Sequence, residues 1–416
     1  MAATAVWLNR TFSSLKMRNY RLLWLGSASE HTGEWMERTA IGWTVLQLTD
    51  SPFMLGLNEA LRFIALIAFP FVSGAVADRW NRKKVLIATL VGLGLLSAVI
   101  VTLMWSGVLA KGNPVAVYYI LMYSLLSGVL TAFNHPARGT LLASIVDKAN
   151  YTNAVSLDSI SVMASRLIGM PLAVAWTWAA NNDVSGIIGM RFVGCMLAVM
   201  WLLWLRAPPT PTQARKESMV ANVKEGLRYV AKDEAVLGVT LLAFIPSFFV
   251  TGYVSQLPVF AKDVLAIGPA GLYLMNFMAG VGSLIGLIGL ASLGDYRHKG
   301  VHLFISIIGS GVSLALFAVS GWLPFSFAML LVSGATISMF TALRSTVVLL
   351  IVPDNLRGRV IALRELATGT QPVGSLMLGS MSEAWGAPQG LGIMAGLCAV
   401  TSAGAMWKLK RVRELE

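Results

Sequence analysis

The chain has 416 residues, is 56% hydrophobic and 12% charged, and carries a formal net charge of +12 with a mean hydropathy of +0.70. A soluble domain has about 25% charged residues, so a water-soluble enzyme or binding module is excluded and an integral membrane protein is indicated. Runs such as Val85–Ala110 and Gly390–Trp407 are continuously apolar, unlike the alternating strands of an outer-membrane barrel.

The start, "MAATAVWLNRTFSSLKMRNYRLLW", is basic and mixed, without the apolar core and cleavage site of a signal peptide. After it the apolar runs predict an all-α polytopic fold of about twelve spans. These are 20–49, 53–77, 85–109, 115–134, 153–178, 187–205, 236–260, 271–293, 301–321, 325–347, 359–381 and 389–407. Alternate loops collect the basic residues. Arg10, Lys16, Arg18 and Arg21 precede the first span, and Arg79, Arg82, Lys83 and Lys84 follow the second. Arg206–Lys232 supplies the middle, and Lys408, Lys410, Arg411 and Arg413 the end. The opposite side holds little beyond Lys111, Arg191 and Lys262. This bias predicts an inner-membrane protein with both termini in the cytoplasm. Trp105, Trp176, Trp178, Trp322 and Trp385 fall near the outer ends, where an interfacial belt belongs. The positive charge is thus a topology signal and not a nucleic-acid footprint. Cys195 and Cys398 lie in apolar runs and predict neither a disulfide nor a metal site; no cofactor or metal is expected.

The longest polar stretch, 206–234, divides the spans into an N-terminal bundle (1–205) and a C-terminal bundle (235–416). Its Pro-rich start is irregular, and from Glu217 onward it suits an interfacial helix. The halves repeat: "ARGTLLASIVDKANYTNAVSL" (137–157) aligns without gaps to "LRSTVVLLIVPDNLRGRVIAL" (343–363), setting Arg138 on Arg344 and Thr140 on Thr346. Two like six-helix halves are the architecture of a secondary transporter.

"GAVADRWNRKKVL" (74–86) carries Gly74, Asp78, Arg79, Arg82 and Lys83 between the second and third spans. It resembles the signature loop of the major facilitator superfamily, which implies a cytoplasmic gate at those five residues. Gly74 would allow close helix approach, and Asp78 would accept from a helix N-terminus and from Arg82. Asn81 stands where the family has Gly and tolerates the same left-handed turn. "GDYRHKG" (294–300) is the degraded counterpart in the second half. Further stretches, "NYRLLWLGSASEHTGEWMERTAIGWTVLQLTDSPFMLGL", "HPARGTLLASIVDKANYTNAV", "SRLIG" and "VPDNLRGRVIAL", look like the exporter branch containing the enterobactin exporter and macrolide-efflux proteins. That resemblance implies export of an amphipathic small molecule by a monomer exchanging protons, with no nucleic acid involved. Two positions depart from the branch. Glu34 stands where it commonly has Asp, and Gly169-Met170-Pro171 interrupts its antiporter-associated Gly-Pro pair. The interruption leaves a uniporter, an importer or a lysophospholipid flippase open; a non-transporting receptor has no large extramembrane domain to support it.

Charges inside spans are costly unless they face partners or water. They cluster at Glu30, Glu34, Glu37, Arg38, Glu59, Arg62, Asp158, Arg166, Arg364 and Glu365, in spans that line the cavity in the resembled family. Glu30, Glu34 and Glu37 share one helical face. They are the expected proton-coupling groups, Glu34 first, with Arg38, Arg62 or Arg166 balancing them. A static Glu34–Arg38 pair at i,i+4 is the competing reading. Glu59 with Arg62 reads as structural, and Asp158 as a cap or latch. His31 is expected to pack, His135 to belong to a loop, and Arg138 and Arg344 to grip neighbouring carbonyls or carboxylates. Tyr119, Tyr123, Phe133, Phe248, Tyr253, Gln256, Asn276 and Met339 are the candidate substrate-facing residues.

Overall fold

The computed structural model describes residues 13–69, 72–74, 76, 80–207, 228, 230, 233–293, 298–352 and 369–415. Asp78, Arg79, Arg364, Glu365, most of the 206–234 linker and most of "GDYRHKG" lie outside them. The described residues are helical, and nine of their helical stretches, counting Glu234–Val264 as one, are long and apolar enough to span a bilayer. Twelve spans were expected. The opening helix is long enough but heavily charged, the second is short, and the eleventh expected span begins outside the described residues.

In chain order the helices are α1 (Arg18–Thr49), α2 (Pro52–Ala68), α3 (Arg82–Trp105), α4 (Ala116–Ile145), α5 (Tyr151–Ala179) and α6 (Ser185–Trp204). There follow α7 (Glu234–Phe249), α8 (Tyr253–Val259), α9 (Gly268–Ser292), α10 (Lys299–Ala318), α11 (Leu323–Ile351), α12 (Gln371–Trp385) and α13 (Ala387–Lys408). The expected seventh span is broken at Val250–Gly252, so α7 and α8 are separate, and α8 runs into a π turn at Phe260–Val264. Asp233 starts α7 by accepting from the backbone N–H groups of Ala235 and Val236, which satisfies two donors that the helix itself cannot.

Two compact units result, one from residues 1–48 and 65–215, the other from 49–64 and 216–416. The beginning of α2 groups with the second unit. There Glu383 accepts from Ser51 Oγ at 2.8 Å and from Phe53 N at 3.2 Å, while Gln256 Nε2 donates to Pro52 O at 3.1 Å. The aligned stretches also end their helices alike. α4 stops at Ile145 with Val146 extended, and α11 stops at Ile351 with Val352 extended. Arg138 and Arg344 are both buried one to two turns before those ends.

Without a strong hydrophobic drive between helices in lipid, small residues set how closely helices pack. In the second unit, a Cβ at Gly334 would overlap the carbonyl of Ala279, so α11 and α9 touch backbone to backbone. Gly334→Ala is expected to destabilise by about 1–3 kcal/mol. Gly289→Ala, whose Cβ would meet nothing within 4 Å among the described residues, should be neutral or slightly stabilising. Thermal unfolding of the two purified variants checks the contrast.

Candidate functional site

The first unit holds a charged cluster where α1, α4, α5 and α6 meet. Its geometry starts with two glycines. A Cβ at Gly194 would lie 2.5 Å from Ser29 O, and one at Gly33 2.9 Å from Arg191 Cα. α1 and α6 therefore cross closely, and Arg191 is brought against the acidic face of α1. Its Nη2 donates to Glu30 Oε1 at 3.3 Å, and its Nη1 lies 3.7 Å from Glu34 Oε2. Arg191 is 0% exposed. On the other side of α1, Gly169 of α5 packs against Thr32 O, and Ser165 Oγ donates to Ala28 O at 3.1 Å.

α4 supplies the second cation. Arg138 Nη2 donates to both carboxylate oxygens of Asp158 at 2.9 and 3.0 Å, and its Nη1 lies 3.7 Å from Glu30 Oε2. The same Nη1 contacts Nε2 of His31. His31 Nδ1 lies 3.1 Å from Glu34 Oε2. Glu30, His31 and Glu34 are close enough together for a cation. Two guanidiniums already face those acceptors, so the cluster is an ion-pair network rather than a metal site.

A cavity of about 340 Å³ opens beside the network, lined by His31, Glu34, Trp35, Arg38, His135, Arg138 and Asp158 with Gly139, Leu142 and Val162. Of the three expected coupling glutamates, Glu34 is on this wall. Glu30 is 5% exposed and Glu37 0% exposed, within the protein. Trp35 has the guanidinium of Arg166 4.7 Å from its ring centroid and that of Arg38 at 5.7 Å, distances suited to cation–π attraction.

Several expectations are corrected here. Arg191 is not an outer-end charge: the glycine crossing places it on Glu30. His31 does more than pack, since each ring nitrogen meets a charged partner. His135 lies inside the continuous α4, because Pro136 is accommodated within that helix, and its side chain is exposed on the cavity wall. Glu30 and Glu34 meet Arg191, Arg138 and His31, and of the expected balancing arginines Arg38 lines the same cavity as Glu34.

In the signature loop, Asn81 has φ −64° and caps α3 by accepting from Lys84 N at 3.1 Å, so no left-handed turn occurs there. Lys83 Nζ donates to Leu203 O and Leu205 O at 3.1 and 2.8 Å, closing the end of α6, and Arg82 Nη1 reaches Thr140 O at 3.4 Å. A Cβ at Gly74 would meet nothing within 4 Å among the described residues. Among the expected substrate-facing residues, Tyr123, Tyr253, Gln256 and Asn276 are buried in helix packing. Gln256 and Asn276 donate to the backbone at Pro52 O and Leu272 O. Phe133 packs on Phe69, Tyr119 is exposed, and Phe248 and Met339 are half-buried.

The family described as transmembrane secretion effector matches residues 9–416. The chain belongs to that family, within the major facilitator superfamily. The chain is 21% identical to the staphyloferrin A transporter of Staphylococcus aureus over 87% of its own length and 89% of the relative's. It is 21% identical to macrolide efflux protein A of Streptococcus pyogenes (75% of each chain) and 23% identical to the enterobactin exporter of Shigella boydii (81% and 79%). Among solved structures, a bacterial homologue of the human lysosomal transporter Spinster superposes with a TM-score of 0.72 at 15% identity, covering 95% of this chain and 98% of that one. A D-xylose–proton symporter gives 0.70 at 14%, covering 92% and 96%. The protein is therefore a polytopic membrane transporter of a small molecule, with efflux-type relatives, and not an enzyme.

Proposed function

We propose that this transporter exports an amphipathic small molecule in exchange for protons. Glu34 is its coupling carboxylate, with Glu30 and Glu37 behind it. One observation carries the reading: Glu34 sits on the wall of the first unit's cavity, hydrogen-bonded to His31 and 3.7 Å from Arg191. A carboxylate takes a proton more readily when desolvated and less readily beside a guanidinium. Alternating access, with the 1–205 and 235–416 halves rocking, exposes Glu34 to each aqueous phase in turn and changes that balance. Relatives that handle staphyloferrin A, enterobactin and macrolides support a bulky substrate with both polar and apolar parts. The basic loops support cytoplasmic termini, and transport by a monomer completes the reading.

Inside-out vesicles containing the purified protein, tested with staphyloferrin A, enterobactin and a macrolide, decide the matter. An imposed pH gradient should drive uptake of at least one of them, and Glu34→Gln should lower that gradient-driven flux by tenfold or more. Gradient-driven flux unchanged in Glu34→Gln removes Glu34 from the mechanism. Flux of a substrate that ignores the gradient supports a uniporter, the reading favoured by the interrupted Gly169-Met170-Pro171 segment.

A further inference from the structure

Each ring nitrogen of His31 has a charged partner, and the two partners make opposite demands. Nε2 contacts Nη1 of Arg138, while Nδ1 lies 3.1 Å from Glu34 Oε2 and 3.9 Å from Glu30 Oε2. An arginine only donates, so Nε2 must present its lone pair. The single proton of the neutral ring then sits on Nδ1 and is donated to Glu34. We propose that His31 is the proton-loading site of this transporter, where an incoming proton and the Arg138 guanidinium compete for one nitrogen lone pair.

The competition follows from geometry. A proton bound at Nε2 turns that nitrogen into a donor, and two donors cannot share one hydrogen bond. Loading therefore requires Arg138 Nη1 to withdraw. The other arm of Arg138 holds Asp158, so withdrawal disturbs the tie between α4 and α5. The proton arrives from cavity water, since His31 lies on the cavity wall, and only hydrogen bonds are exchanged.

The surroundings tolerate the resulting imidazolium. The groups facing His31 are Glu30 and Glu34 on its own helix, His135 and Arg138 from α4, Asp158 from α5 and Arg191 from α6, with Arg38 of its own helix on the same cavity wall. Glu34 at 3.1 Å and Glu30 at 3.9 Å from Nδ1 are the carboxylates that meet the imidazolium.

The proposal rests on the proton-coupled reading but is tested separately from it. The full chain in lipid nanodiscs, labelled with ¹⁵N-histidine and ¹⁵N-arginine, reports both partners without any substrate. The His31 and Arg138 signals are assigned by their loss in His31→Gln and Arg138→Lys. At alkaline pH the expected His31 signature is the neutral ring protonated on Nδ1. On acidification, the second ring nitrogen should gain its proton in the same step that shifts the Arg138 guanidinium, and in His31→Gln that guanidinium step should vanish. A ring protonated on Nε2 at alkaline pH overturns the proposal, as does a His31 that protonates while Arg138 stays put. A signature as expected in a protein whose flux ignores the pH gradient leaves the loading site standing and sinks the coupling.

Discussion

Arg191→Gln is expected to cost about 3–5 kcal/mol of stability, the penalty of leaving buried charge without its partner. Arg191 is fully buried and faces two carboxylates, Glu30 at 3.3 Å and Glu34 at 3.7 Å. Removing the guanidinium leaves Glu30, itself 5% exposed, with the longer 3.7 Å approach of Arg138 in place of its hydrogen bond. The double variant Arg191→Gln/Glu30→Gln should recover most of the loss, because neutral amides replace an unbalanced pair; a double-mutant cycle on thermal unfolding measures that coupling. Glu234→Gln is the control. Its ion pair with Arg411 is 3.1 Å long, but both side chains are more than 70% exposed, and such pairs contribute little. An Arg191→Gln protein that unfolds with the wild type would show that the cluster is held by helix packing alone.

The architecture was legible in the sequence because membrane insertion forces it to be. Apolar length marks the spans, and the repeated Arg-x-Thr segments end α4 and α11 at aligned positions, as the repeat requires. The acidic face of α1 was equally readable, since residues three and four apart share a helix face. Its partners were not. Arg191 lies close enough to the start of α6 to pass for an interfacial charge, and only the Gly33–Gly194 crossing turns it inward. The one hint available was Gly194, a turn beyond Arg191. His135 looked like loop because His-Pro usually interrupts a helix, yet the helix runs through it. Gln256 and Asn276 were candidates for a pocket, and the structure shows each donating to a backbone carbonyl. Sequence thus named the acidic face, Arg138 and Asp158, and tertiary packing brought Arg191 and His31 to them.

Arg138→Lys should leave the fold nearly intact and lower transport by about 10²-fold, the scale set by misplacing a working group by roughly an ångström. The stability effect is small because Asp158 retains 26% side-chain exposure beside the cavity, where water can replace a lost hydrogen bond. Transport suffers because the arginine fork does two things at once. Nη2 grips both oxygens of Asp158 while Nη1 reaches His31 and approaches Glu30. A lysine is a point charge on a flexible stem and cannot hold both directions. It would settle on Asp158 or on Glu30, and α4 would lose its tie to one of the two helices. Asp158→Asn should be milder than Arg138→Lys, since the guanidinium keeps His31 and Glu30 as partners. Substrate flux and unfolding temperature, measured on the same preparations, separate these effects. An Arg138→Lys protein with full flux would mean that charge alone, without the fork, operates the network.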